Sequence, residues 1–137
     1  MFQPSQGNAF CLVKPDAYNN LGKIIDTLLN EGLKISKLKM AFMDKLLAQY
    51  FAQQSWGGDT QIFKKATQML TEDVSVGIEL TGEDAVGIVN ALWGPPNPQK
   101  AKDVAPNSFS AQFGTDSVKN AVYWTSDEDD KDSTKYF

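Results

Sequence analysis

The succession of apolar patterns predicts an α+β fold, a ferredoxin-like βαββαβ sandwich in which helices pack on an antiparallel sheet. Two observations carry this expectation. Strand-like and helix-like segments follow one another as β, α, β, α, α, β, α, long loop, β, which holds two β–α–β units with their helices on one face of the sheet. The 137 residues fit one compact domain, without internal repeat or linker.

Asn8-Ala9-Phe10-Cys11-Leu12-Val13 is a short, mostly apolar run of the kind a buried strand shows. Pro15 stops it within Lys14-Pro15-Asp16, because proline has no N–H to give to a ladder. Leu21, Ile24, Ile25, Leu28 and Leu29 recur at helical spacing and mark an amphipathic helix. Asn19 or Asn20 is its expected cap, and Gly32 its left-handed close. Leu33 to Met43 reads as a strand whose phase slips: Leu33 and Ile35 share one parity, Leu38, Met40 and Phe42 the other. A β-bulge near Ser36-Lys37 repairs the slip.

Asp44 caps the next helix, with Leu46, Leu47, Tyr50 and Phe51 as its inner face, and Trp56-Gly57-Gly58-Asp59 breaks it. Ile62, Phe63, Ala66, Met69 and Leu70 line one side of a further helix. Val74, Val76, Ile78 and Leu80 alternate with Ser75, Gly77 and Glu79, the pattern of a half-buried strand. Thr81-Gly82-Glu83-Asp84 has the form of a capping box, opening a helix that carries Ala85, Ile88, Val89, Leu92 and Trp93. Gly94-Pro95-Pro96-Asn97-Pro98 is a stiff turn, and an irregular stretch is expected from there to Gly114. Ala121-Val122-Tyr123-Trp124 is the last short strand, and the run from Ser126 to Asp132 is an acidic, solvated segment.

A net charge of −4 argues against a nucleic-acid binder and against a protein held to anionic lipid by charge. Cys11 is the only cysteine, so neither an intrachain disulfide nor a multi-cysteine zinc site is expected, and mid-strand it reads as an inert buried residue. No apolar run approaches the roughly 18 residues of a membrane helix, and residues 1–7 lack the basic and apolar regions of a secretory leader. The expected setting is cytoplasmic, without membrane insertion.

Two absences bear on chemistry. The chain has no histidine, and all thirteen of its basic residues are lysine, so it has no arginine. Histidine is the commonest acid–base group near neutral pH. Arginine is the usual bidentate grip on phosphate. A phosphoryl-transfer site with neither is hard to build.

Phe10-Cys11-Leu12-Val13-Lys14-Pro15-Asp16-Ala17 resembles the opening strand and lysine-proline-aspartate motif of nucleoside diphosphate kinases. Leu21-Gly22-Lys23-Ile24-Ile25 and Leu33-Lys34-Ile35-Ser36-Lys37-Leu38-Lys39-Met40 resemble the helix and strand that follow. Leu92-Trp93-Gly94-Pro95-Pro96-Asn97-Pro98 resembles the family's glycine-containing loop, and Phe113-Gly114-Thr115-Asp116 with Val118-Lys119-Asn120-Ala121-Val122 the approach to its catalytic strand. The likeness runs in order from about residue 8 to 127. It implies a nucleoside diphosphate kinase-like domain over 8–127, an N-terminal extension at 1–7 and an acidic C-terminal segment at 128–137. Gly94-Pro95-Pro96-Asn97-Pro98 and Asn120-Ala121-Val122 are most similar to the second domain of the family's tandem-domain ciliary member, which is associated with axonemal microtubules.

The resemblance implies a site, and the residues here depart from it. The family's nucleophilic histidine falls on Tyr123, and the small residues after it on Trp124 and Thr125. A phenol with a pKa of about 10 is mostly protonated at neutral pH. The two phosphate-clamping arginines fall on Asn90 and Ser110, and the threonine that joins them on Pro96. The base-stacking aromatic falls near Gln61 or Ile62, and the tyrosine of the preceding helix on Tyr50 or Phe51. Each lost guanidinium contact is worth about 1.5–3 kcal/mol as a charge-assisted hydrogen bond.

Lys14, Tyr50 and Asn120 remain as residual nucleotide-binding candidates. Lys14 is either a point charge for phosphate or a strand-end lysine, and Asn120 either touches a ribose or holds a turn. The reading is a pseudoenzyme without cofactor or metal, a structural or protein-binding part of a larger assembly, ciliary or other. The alternative is a nucleotide sensor without phosphotransfer. The family's dimers and hexamers, built on the first helix and second strand, make a homo-oligomer part of the expectation.

Overall fold

The computed structural model describes residues 6–56, 60–95, 97–116, 119 and 122–124. Among these residues four strands, β1 (Gln6–Val13), β2 (Lys34–Ala41), β3 (Ser75–Glu83) and β4 (Val122–Trp124), form one antiparallel sheet in the order β2-β3-β1-β4. This is the strand order of the expected ferredoxin-like α+β sandwich. Among the described residues six helices accompany it: α1 (Leu21–Asn30), α2 (Lys45–Trp56), α3 (Thr60–Glu72), α4 (Ala85–Trp93), α5 (Pro98–Val104) and α6 (Phe109–Phe113). A 3-10 segment, Pro15–Asn20, joins β1 to α1.

The helices cover both faces of the sheet, where one had been expected. Ala9, Cys11 and Val13 of β1 and Val76, Ile78 and Leu80 of β3 face Ile24 and Leu28 of α1, Val89 of α4 and Phe109 of α6. Phe10 and Leu12, of opposite parity, face Phe51 and Ala52 of α2 and Ala66, Met69 and Leu70 of α3. This second layer explains a further correction. β3 is not half-buried, because Ser75 and Gly77, the polar and small members of its alternation, lie buried as well.

The predicted bulge is present, with the β2–β3 register shifting between Ile35 and Lys37 so that Ser36 is the extra residue. The shift lets Ile35, Leu38 and Met40 stand opposite Leu80, Ile78 and Val76 on one face. Asp44 caps α2 as expected, its Oδ1 accepting from the Leu47 N–H at 2.8 Å. Gly32 follows α1 at φ +87°, the left-handed close foreseen for it.

Four local expectations change. β1 begins at Gln6 rather than Asn8, because backbone pairing with Glu83 and Gly82 needs no apolar side chain. Asn20 precedes α1 without a side-chain cap bond, since the 3-10 segment already leads into the helix. Thr81, Gly82 and Glu83 belong to β3 and form no capping box, and Asp84 turns the chain at φ +53° with no cap bond. Leu46 points to solvent at 78% exposure, and α2 buries Ala48, Phe51 and Ala52 instead.

The stretch after Gly94 is helical. Asn97 Oδ1 accepts from the Gln99 N–H at 2.9 Å, and Pro98 opens α5 at its first position. Ser108 caps α6 through Oγ to the Ala111 N–H at 3.3 Å. Gly94, at φ +76°, lies so close to Ser108 that a Cβ there would meet Oγ at 2.4 Å. The acidic segment beyond Thr125 lies outside the described residues, as do residues 1–5.

Candidate functional site

Two residues of the site implied by the resemblance, Lys14 and Tyr123, come near each other at the end of β1. Val13 pairs with Val122 and Leu12 with Tyr123, so the backbone of Tyr123 stands beside β1 just before Lys14. The side chains of Tyr123 and Trp124 lie outside the described residues, and so do Pro96 and Asn120. Lys14 is 1% exposed, one of the largest fully buried side chains in the domain. Its carbonyl accepts from the Ala17 N–H at 2.9 Å, which starts the 3-10 segment that Pro15 permits.

Burial pushes the Lys14 ammonium down to about 8, because a cation taken from water loses hydration. Asp16 and Asp116 oppose that fall, their carboxylates favouring the charged form. Asp16 is two residues along the same turn. Asp116 arrives from the far end of the chain, after α6, in a turn where its Oδ1 accepts from the Lys119 N–H at 2.7 Å. The sequence carried no signal for this second carboxylate, since only the return of the chain past α6 brings it near Lys14.

At the two positions where the resemblance implies a phosphate clamp, neither side chain carries a positive charge. Asn90 is exposed on α4. Ser110 is fully buried on α6, and its Oγ has no hydrogen-bond partner among the described residues. A neutral hydroxyl enclosed there presents no positive charge to an anion.

Tyr50 is half-buried on α2 and meets Phe51 edge to face, with ring centroids 5.2 Å apart and planes at 79°. Phe51 in turn stacks on Phe10 at 6.0 Å. These contacts tie Tyr50 to the second core layer. Ile62, one of the two positions the resemblance implies for the base-stacking aromatic, is half-buried and lines a cleft of about 520 Å³ together with Lys65, Met69, Asp116 and Lys119. Gln61 is exposed. The cleft therefore exists without an aromatic at either candidate position.

Cys11 is fully buried, and burial pushes its thiol up to about 12, so it is no nucleophile near neutral pH. Among the described residues no group of three or more Cys, Asp or Glu comes together to hold a metal. No described helix is long and apolar enough to cross a membrane.

Comparison with known proteins agrees with the geometry. The family model for nucleoside diphosphate kinase matches residues 7–137. The nucleoside diphosphate kinase of Aquifex aeolicus is 36% identical over 115 residues, which cover 82% of this chain and 79% of that protein. A crystal structure of the Aquifex aeolicus kinase superimposes with a TM-score of 0.84 over 96% of this chain and 92% of that one. The nucleoside diphosphate kinase homolog 7 of Rattus norvegicus is 31% identical over 112 residues, but this chain spans only 28% of that protein's length. On fold, strand order and a match over nearly its whole length, the chain belongs to the nucleoside diphosphate kinase family.

Proposed function

We propose that this chain is a non-catalytic nucleoside diphosphate kinase-like domain, a structural or protein-binding component of a larger assembly. The observation that carries the reading is the absence of any histidine or arginine. A member of this family without either lacks both the nucleophile and the phosphate clamp that the resemblance implies. Tyr123 stands at the histidine position, and a phenol is a poor phosphoryl carrier because its phosphate ester turns over slowly. Buried Ser110 and exposed Asn90 at the clamp positions point the same way. The likeness of Gly94–Pro98 to the family's ciliary member carries the further reading of a ciliary or axonemal microtubule setting. A homo-oligomer fits the same reading, since β2 ends the sheet with Leu38 and Met40 nearly half exposed.

The second reading, a nucleotide sensor without turnover, draws on Lys14 and the adjoining cleft. The test is incubation with labelled ATP followed by assay for acid-labile phosphoprotein and for transfer to GDP. No label and no transfer are expected. Calorimetry with ATP and GDP in the presence of magnesium separates the two readings, and a Kd tighter than about 100 μM favours the sensor.

A further inference from the structure

A second hollow, of about 710 Å³, runs along the α2–α3 hairpin. Met43 and Phe63, which belong to the second core layer, give it an apolar lining. Thr67 and Thr71 also line it, and their hydroxyls donate back to the carbonyls of Phe63 and Gln68. Its charges are Lys45 and Lys64, with no carboxylate among the described residues that line it. In a chain with seventeen acidic residues and a net charge of −4, this is a locally positive surface.

Two further facts sharpen it. Lys45 opens α2, whose first turn holds no acidic residue, so the lysine adds to the positive end of the helix dipole. The nearest acid in sequence, Asp44, is engaged as the helix cap. The two most exposed large apolar side chains among the described residues, Leu46 at 78% and Phe42 at 71%, flank Met43 and Lys45 in sequence. An apolar hollow with exposed apolar neighbours and a cationic rim is complementary to apolar groups carried between carboxylates.

We infer that this face docks a partner protein through a short acidic segment bearing large apolar side chains. The apolar groups seat against Met43 and Phe63, with Phe42 and Leu46 closing over them, and the segment's carboxylates meet Lys45 and Lys64. The inference rests on reading the domain as one that binds protein. Two lysines without arginine favour a peptide over a nucleic acid, which calls for a broader basic face.

A display library of short random peptides, panned against the full chain, tests it. The expected selection combines Asp or Glu with Leu, Phe or Trp, and its affinity falls as salt is raised. Lys45→Glu/Lys64→Glu, and separately Phe42→Ser/Leu46→Ser, should each weaken the selected peptides by roughly tenfold or more. All four residues but Lys64 precede or open α2 and all are exposed, so unchanged circular dichroism and unfolding temperature are expected as controls. Selection of basic or uncharged peptides, selection of none, or equal binding to the variants would overturn the proposal. So would self-association that the lysine variant abolishes, or peptide binding that emerges only in Asp127→Asn/Asp129→Asn/Asp130→Asn, since these assign the groove to a second copy or to the chain's own acidic segment. The phosphotransfer assay reads the non-catalytic assignment separately. A chain that transfers phosphate yet selects acidic peptides sinks that assignment and keeps the groove; an inert chain that selects none does the reverse.

Discussion

Leu12 of β1 lies directly opposite Tyr123 of β4, so the position on which the resemblance places a histidine stands beside a core strand of the sheet. Leu12 is fully buried toward α2 and α3, so the strand with which Tyr123 pairs is held by core packing. The family's fold is kept in a chain that has neither histidine nor arginine.

Restoring the nucleophile alone should therefore fail. Tyr123→His is expected to give no measurable transfer from ATP to GDP, because Asn90 and Ser110 still leave the phosphates without guanidinium partners. Acid-labile labelling of the variant at a substantial fraction of the chain would show that the clamp is dispensable and weaken the non-catalytic reading.

The buried Lys14 predicts a pH dependence of stability with a defined sign. Folded, it releases its proton near pH 8; its ordinary value is 10.5. Between these the unfolded chain holds more protons, so this group makes stability rise with pH. Cys11 acts oppositely: its ordinary value is 9.0 and its folded value about 12, so its contribution falls above pH 9. Urea unfolding should show stability rising from pH 8 to 9 and levelling between about pH 9 and 10.5, where the two terms cancel. In Cys11→Ala the rise should continue to about pH 10, and in Lys14→Met/Cys11→Ala it should be absent. A flat profile in Cys11→Ala would contradict the burial of the Lys14 ammonium.

The contact between sheet and hairpin predicts where stability concentrates. Phe51 stacks on Phe10 at 19° between ring planes and meets Tyr50 edge to face. Phe51→Ala is expected to cost about 3–5 kcal/mol. Leu46→Ala, at an exposed site of the same helix, should change stability by no more than about 0.5 kcal/mol. Denaturant midpoints with unchanged slopes would measure both, and comparable losses at the two positions would refute the inward face assigned to α2.

Much of the architecture was legible in the chain because period and punctuation act locally. The alternation at Val76, Ile78 and Leu80, the slip at Ser36 and the Asp44 cap each depend on neighbours a few residues away. Helices α5 and α6 were missed because prolines and short length masked the capping signals at Asn97 and Ser108. Thr81–Asp84 misled because a strand end and a helix start compete for the same residues, and pairing of Gln6 and Gly7 with Glu83 and Gly82 settled the competition. Leu46 has the spacing of an inner residue, but α2 is turned so that the smaller Ala48 and Ala52 meet the sheet.

The sequence by itself determined what this protein lacks: no histidine and no arginine can be supplied by any fold, so those side chains are absent wherever the chain goes. It also determined the order of the four strands and of α1 to α4, because hydrophobic period is a property of consecutive residues. Only the tertiary structure decided which faces were covered, that Lys14 is buried with Asp16 and Asp116 as its opposing charges, and that Lys45 and Lys64 border one groove. Those relations join residues far apart along the chain, and burial and electrostatic coupling depend on distance in space, which no local pattern encodes.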